Sequence, residues 1–246
     1  MVYQPECGPL DDLPLAHGTK PEKLSGQQSL SKELRFARNE VIFAEGSSAR
    51  SWYQVIFGTV RLVTQLSSEL RHVERFCFEG ECFGFDLPGR RSFSAEAVED
   101  CAVHCHRRQS IGRLITEIPK IAEQLWSASL RDLAQVQTRT VVLARMSAPM
   151  RVASFLIDLH ARRGPAMLLD LPMPRADIAD HLGLTVETVC RVLSRFAVLK
   201  LIALPNVNQV KLIDMRGLEA ILSEGFDPAL GPYYGTRRAR ERARPA

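Results

Sequence analysis

The stretch PRADIADHLGLTVETVCRVLSRFAVLKLI, residues 174–202, decides how this chain is read. Pro174 suits entry to a helix, and Ile178, Ala179 and Leu182 make that helix's inner face. Gly183 supplies the break, Leu184 is expected as the buried plug of the turn, and Thr185 is a good N-cap for a second helix, with Thr188 three positions on. In the second helix Val189, Val192, Leu193 and Phe196 recur at the spacing of one face, which turns Val186, Glu187, Cys190, Arg191 and Ser194 away from the core. Two helices joined by a short glycine-containing turn make a helix-turn-helix, whose second helix enters the major groove of DNA by its N-terminal residues.

Residue type carries the reading further. Glu187 can accept a hydrogen bond from a cytosine N4 amino group, and Arg191, one turn later on the same face, can bind guanine O6 and N7 bidentately. Each such contact discriminates between bases by about 1–3 kcal/mol. The same two residues also fit a solvated ion pair at i, i+4, worth only about 0.3–0.5 kcal/mol to the helix. The glycine turn and the wing that follows decide for the groove. LIAL and QVKLID flank the turn Pro205-Asn206-Val207-Asn208 as two short strands, and MRGLEAIL closes the unit as a brief helix. The DNA-facing set is therefore Thr185, Val186, Glu187, Cys190, Arg191 and Ser194, with Arg175 at the start of the first helix.

Upstream, the period is helical from about Gln109 past Leu156, with breaks near Pro119 and at Ser147-Ala148-Pro149. Between the breaks Leu125, Ser129, Leu133, Val136, Thr140 and Leu143 recur at three and four residues, a stripe fit for a long helix that meets a second copy of the chain. The alternative is that the stripe packs on its own upstream domain. RVASFLIDLH is a separate amphipathic helix that Gly164-Pro165 ends. From Leu34 to Arg107 the texture changes to short apolar or alternating runs, among them WYQVIFGTVRLVTQL, RHVERFCFEGE and CAVHCHR, which predict a small antiparallel barrel or sandwich. Gly46, Gly58, Gly80 and Gly84 mark its turns. The organisation expected is α+β: a flexible arm over 1–30, a β domain over 31–116, a dimerisation helix over 117–147, a winged helix-turn-helix over 148–225 and a disordered basic tail over 226–246, with five arginines against two acids.

The bulk numbers agree. A chain of 246 residues holds two modest cores, and 46% hydrophobic with 24% charged residues is an ordinary globular balance. No apolar run reaches the roughly 18 residues of a membrane helix. The start, MVYQPECGPLDDLPLAHG, lacks the apolar core of a signal peptide, so no membrane partner and a cytoplasmic location are expected. A net charge of +4 is too small to indicate nucleic acid by itself. Six cysteines, Cys7, Cys77, Cys82, Cys101, Cys105 and Cys190, do not read as a disulfide framework in a cytosolic chain, and most are expected as thiols. There is no phosphate loop, triad spacing or paired metal motif, so no enzyme is expected.

With these pieces in place the whole chain resembles the Crp/Fnr family of transcription regulators, through the barrel with its glycines, the long helix and especially DIADHLGLTVETVCRVLSRF. In that family the recognition helix carries a Glu-x-x-Ser-Arg or Arg-Glu-x-x-Gly-Arg signature; with Val186, Glu187, Cys190 and Arg191 at those positions, the chain looks closest to the Fnr side and, within it, to FixK-type regulators of low-oxygen genes. The resemblance implies an N-terminal antiparallel β-roll of the cyclic-nucleotide-binding type and a homodimer through the long helix. It also implies a palindromic TTGAN-type operator in double-stranded DNA, with RNA polymerase as a second partner. Two departures stand out. Cys190 occupies the family's serine, and a thiol is a weaker donor than a hydroxyl; Lys200 stands where many relatives have the glycine that ends the recognition helix.

Members of the family differ in the signal they read. The Fnr type holds an iron-sulfur cluster on several N-terminal cysteines plus one in the barrel, whereas here only Cys7 precedes Cys77, so four thiolates at workable spacing are missing. Cyclic-AMP binders carry Phe-Gly-Glu-x-x-Leu followed by Arg-Ser. Phe83, Gly84, Phe85, Asp86 and Arg91-Ser92 follow that cassette, except that Phe85 replaces the ribose-binding glutamate, which argues against a cyclic nucleotide. As a strand, CAVHCH turns Cys101, Val103 and Cys105 to one face and Ala102, His104 and His106 to the other, so thiols and imidazoles do not converge on a metal. Cys77 and Cys82 flank a turn as core thiols. No cofactor and no metal are expected. Cys190 is the candidate redox residue, since a helix N-terminal half and an arginine neighbour favour a thiolate, and oxidation there would block groove entry. The function expected is a sequence-specific regulator, effector-independent or modulated through Cys190, and controlled by its own abundance. Its rivals are a regulator of the same fold gated by a cyclic nucleotide or by haem on His72 or His104, and a cyclic-nucleotide-binding module that does not touch DNA.

Overall fold

Alternating sequence becomes paired strands in the first part of the chain. The computed structural model describes residues 31–67, 70–86, 89–107, 146–164 and 166–224. The chain divides into two units, 1–136 and 137–246. The expected arm and tail, and the seam residues Leu125, Ser129, Leu133, Val136, Thr140 and Leu143, lie outside the described residues.

In the first unit the described strands are β1 (Ser31–Phe36), β2 (Val41–Phe43), β3 (Ser51–Phe57), β4 (Val60–Gln65), β5 (Arg71–Cys77), β6 (Cys82–Phe83), β7 (Ser94–Ala97) and β8 (Cys101–Arg107). They form two antiparallel sheets in the orders β1-β8-β3-β6 and β2-β7-β4-β5. The period of two decides what each sheet buries. Tyr53 and Val55 of β3, Cys101, Val103 and Cys105 of β8, and Val60 and Leu62 of β4 join one apolar core with Phe43 and Phe83. The other face of β3 and β8 carries Trp52 and His106, whose rings stack at 4.0 Å and 5°. Burial, and after it the neighbouring His104, pulls His106 down to about 3, so this imidazole is neutral. His72 sits on β5, in the other sheet from His104.

The thiols behave largely as expected. Cys77, Cys82, Cys101 and Cys190 form no disulfide. Cys77 is a core residue, whereas Cys82, expected in the core, is only half-buried. Burial, with Glu99 and Asp100 adding to it, pushes the Cys101 thiol up to about 11. Cys105 is disulfide-bonded and departs from the reduced pattern.

The second unit contains, among the described residues, α1 (Ala148–Arg163), β9 (Leu168–Asp170), α2 (Arg175–Leu182), α3 (Val186–Val198), β10 (Ile202–Asn206), β11 (Gln209–Leu212) and α4 (Met215–Glu224). Helix α1 has Pro149 in its first turn and His160, Arg162 and Arg163 in its last, where cations meet the negative end of the helix dipole. It buries Val152, Ala153, Phe155, Leu156 and Leu159, and packs against α4 and α3. The wing is a sheet in the order β10-β11-β9. Strand β9 has no counterpart in the sequence reading. Its three residues bury only Leu169, opposite Val210 of β11, and alternation over so short a run is invisible. The β10 strand also runs one residue beyond Pro205, with a register shift between Ala203 and Asn206.

Gly58, between β3 and β4, shows where backbone freedom is required. Its φ is +82°, and a Cβ there would lie 2.6 Å from Cys101 Cβ and 2.7 Å from the Asp100 carbonyl oxygen. Gly58→Ala is expected to destabilise the β domain by about 2–3 kcal/mol, through positive φ and the clash with β8, and thermal unfolding measures it.

Candidate nucleic-acid interface

Helix α2 stops because Gly183 takes the left-handed conformation, with φ 61° and ψ 43°, and its N–H turns back to the Ala179 carbonyl. The freed carbonyls at the end of α2 find a cation. Arg151 of α1 donates through Nη1 to Leu182 O at 2.9 Å and to Gly183 O at 3.3 Å. Sequence reasoning missed this clamp, because nothing local links Arg151 to a turn 31 residues away. Leu184, expected to plug the turn, is only half-buried; the interior of the unit is filled by Ile178, Ala179 and Leu182 from α2 together with residues of α3.

Thr185 caps α3 as its type predicts, its hydroxyl oxygen accepting from the Thr188 N–H at 3.2 Å. Val189, Val192, Leu193 and Phe196 are buried, which rotates Val186, Glu187, Cys190, Arg191 and Ser194 into solvent. Arg191 Nη2 donates to Glu187 Oε1 at 2.6 Å. Their side chains are 70% and 81% exposed, so the pair is solvated and adds only a few tenths of a kcal/mol to the helix. Both groups remain available to a ligand that approaches the first half of α3.

Arg175 stands apart from that outward set. It is half-buried and donates through Nη2 to the Val207 carbonyl at 3.0 Å, tying the start of α2 to the wing tip, while Nη1 has no partner. Burial lowers its guanidinium from the usual value, and the charge of nearby Cys190 acts in the opposite sense. The wing tip is itself organised by side chains. Asn206 accepts from the Asn208 N–H at 2.9 Å and donates to Gln209 at 2.7 Å, and Gln209 reaches Asp170 of β9 at 2.8 Å.

The far end of α3 closes in a Schellman arrangement. The Lys200 N–H bonds the Ala197 carbonyl and the Leu201 N–H bonds the Phe196 carbonyl, both at 3.0 Å. Lys200 sits at φ +57°, a position that favours glycine.

Comparison with known proteins places this geometry. Residues 150–221 match the Crp-like helix-turn-helix domain, and residues 33–117 match the cyclic nucleotide-binding domain. The nitrogen fixation regulation protein FixK of Azorhizobium caulinodans is 37% identical over 191 residues, covering 76% of this chain and 77% of the relative. An anaerobic regulatory protein of Haemophilus influenzae is 30% identical over 195 residues, covering 77% and 76%. The structure of FixK2 from Bradyrhizobium japonicum superposes with a TM-score of 0.73 at 31% identity, covering 77% of this chain and 96% of that one.

Lys200→Gly relieves a left-handed lysine without removing a contact that α3 uses. It is expected to raise the stability of the second unit by about 0.5–1 kcal/mol in urea unfolding, with no loss of DNA binding.

Proposed function

For a chain that belongs to the Crp/Fnr family of transcription regulators, we propose the finer reading that it binds a palindromic TTGAN-type operator as a homodimer. It activates transcription together with RNA polymerase in the control of low-oxygen genes, acts in the cytoplasm and carries no enzymatic activity. The observation that supports this reading is the Glu187–Arg191 pair, solvated and one turn apart on the first half of α3.

Such a half-site holds a single G·C pair among its defined bases. Its guanine offers O6 and N7 to the Arg191 fork and its cytosine offers N4 to the Glu187 carboxylate, so on docking the two side chains exchange each other for one base pair. Val186, apolar and exposed in the first turn, suits a thymine methyl group. The cost of parting the pair is small because both side chains are solvated. A homodimer through the 117–147 seam would present two such helices to half-sites one helical turn apart. The names of the relatives, nitrogen fixation regulation protein and anaerobic regulatory protein, support the low-oxygen setting. An iron-sulfur cluster has no place in this reading. Only Cys7 precedes Cys77, so four thiolates at workable spacing are missing.

Cys190 modulates the same surface in this reading. It is exposed and free on the DNA-facing side, and an oxidised, anionic sulfur there would repel phosphate and draw on Arg175 nearby.

Band-shift titration against an operator selected from random duplexes tests the reading. Glu187→Ala and Arg191→Ala are each expected to lose about 1–3 kcal/mol of discrimination at the G·C pair while nonspecific binding persists. Indifference of specific affinity to both substitutions would support a module that does not read DNA. Peroxide is expected to abolish binding by the wild type and to spare Cys190→Ser; equal sensitivity of the two removes the redox role.

A further inference from the structure

The first unit matches a cyclic nucleotide-binding domain, and a cyclic nucleotide carries an anionic phosphate that needs a cation and N–H donors. The most deeply buried arginine among the described residues of this β-roll is Arg91, whose side chain is 1% exposed. Its guanidinium lies 4.0 Å over the Phe43 ring and 5.7 Å from Tyr53. Nη1 donates to the Gly84 carbonyl at 2.7 Å and to Asp86 Oδ2 at 2.9 Å, and Nη2 donates to the Ser51 carbonyl. The Asp86 side chain is fully buried, and its other oxygen accepts from the Ser92 N–H at 2.9 Å. One carboxylate thus takes a guanidinium hydrogen and a backbone N–H, the same kinds of donor that two oxygens of a phosphate would take. Phe85 does not enter this space; its ring stacks on Trp52 at 5.3 Å, on the outer face of the sheet.

We propose that Arg91 and the Ser92 N–H form an oxyanion seat that the chain keeps filled with its own Asp86 carboxylate, so that the β-roll is closed to cyclic nucleotides and other phosphate anions. The residues present do not fit a cyclic nucleotide. Its phosphate would enter a low-dielectric interior beside a like charge, and Asp86 would lose its donors with no water to replace them. A tethered carboxylate also competes at an effective concentration of millimolar or more, above that of most free anions. Arg91 Nε, buried and without a partner, is the further donor that a larger oxyanion would engage. The inference deepens the reading of an ungated regulator, and its test measures anion binding by the β-roll rather than DNA, so each can fail alone.

The test uses the full chain as wild type, Asp86→Ala, Asp86→Ser and Asp86→Ala/Arg91→Met. Thermal unfolding is followed in chloride, inorganic phosphate and 3′,5′-cyclic AMP at matched ionic strength. The wild type is expected to unfold at one temperature in all three. Asp86→Ala is expected to unfold earlier in chloride and to regain about 2–4 °C with saturating phosphate or cyclic AMP. The phosphate arm reports a free anion and the cyclic AMP arm a phosphodiester, and recovery in either supports the seat. Asp86→Ser keeps an oxygen for the Ser92 N–H and carries the same comparison if Asp86→Ala does not fold. The double variant has lost the cation and is expected to show no anion response. A saturable response in the wild type, none in either single Asp86 variant, or an undiminished one in the double variant overturns the proposal.

Discussion

Helix α3 can bury only one face, and that constraint orders everything around it. Val189, Val192, Leu193 and Phe196 leave water together, each worth about 1.5–3 kcal/mol of apolar burial. A rotation of the helix by one residue would bring Glu187 or Arg191 toward the core, and a buried unpaired charge costs far more than any surface pair returns. The side chains that meet a ligand are therefore set by those that cannot. The boundaries of α3 are held as firmly as its rotation: Thr185 and Gly183 fix the start, Arg151 neutralises the end of the preceding helix, and the Lys200-Leu201 turn fixes the finish.

Two arginine-carboxylate pairs show how environment decides what one chemistry does. Arg191 and Glu187 sit in water, so their attraction is weak and a competing base edge can replace it. Arg91 and Asp86 sit in the β-roll interior, where each is held by backbone partners as well as by the other. Breaking the buried pair leaves an uncompensated charge, and that asymmetry holds it together. The DNA-reading end of the molecule is thus electrostatically exchangeable, and the interior of its sensor-like domain is not.

What the sequence made legible follows the range of each signal. The rotation of α3, its N-cap, the glycine break and the inward and outward faces of β8 are written in spacings of two to four residues, and they stand as read. The place of Leu184 in the turn predicts a core residue, but burial there depends on how α2 and α3 meet, and it is half-buried. Strand β9 buries one side chain, too little for alternation to register. The Arg151 clamp, the Arg175 link to Val207 and the Asp86–Arg91 pair join residues through the fold. Phe85 of the cassette stacks on Trp52, and the contact of its neighbour Asp86 with Arg91 has no local sequence signal.

The most direct measurement is a chemical cycle across the interface. The half-site guanine is replaced by 7-deazaguanine, which removes the N7 acceptor, and binding is titrated with the wild type and with Arg191→Ala at one salt concentration. The account predicts that the base change weakens wild-type binding and has almost no further effect on Arg191→Ala, a coupling of about 1–3 kcal/mol. Losses that simply add would show that Arg191 does not touch that base, and would contradict the assignment of α3 as the reading helix.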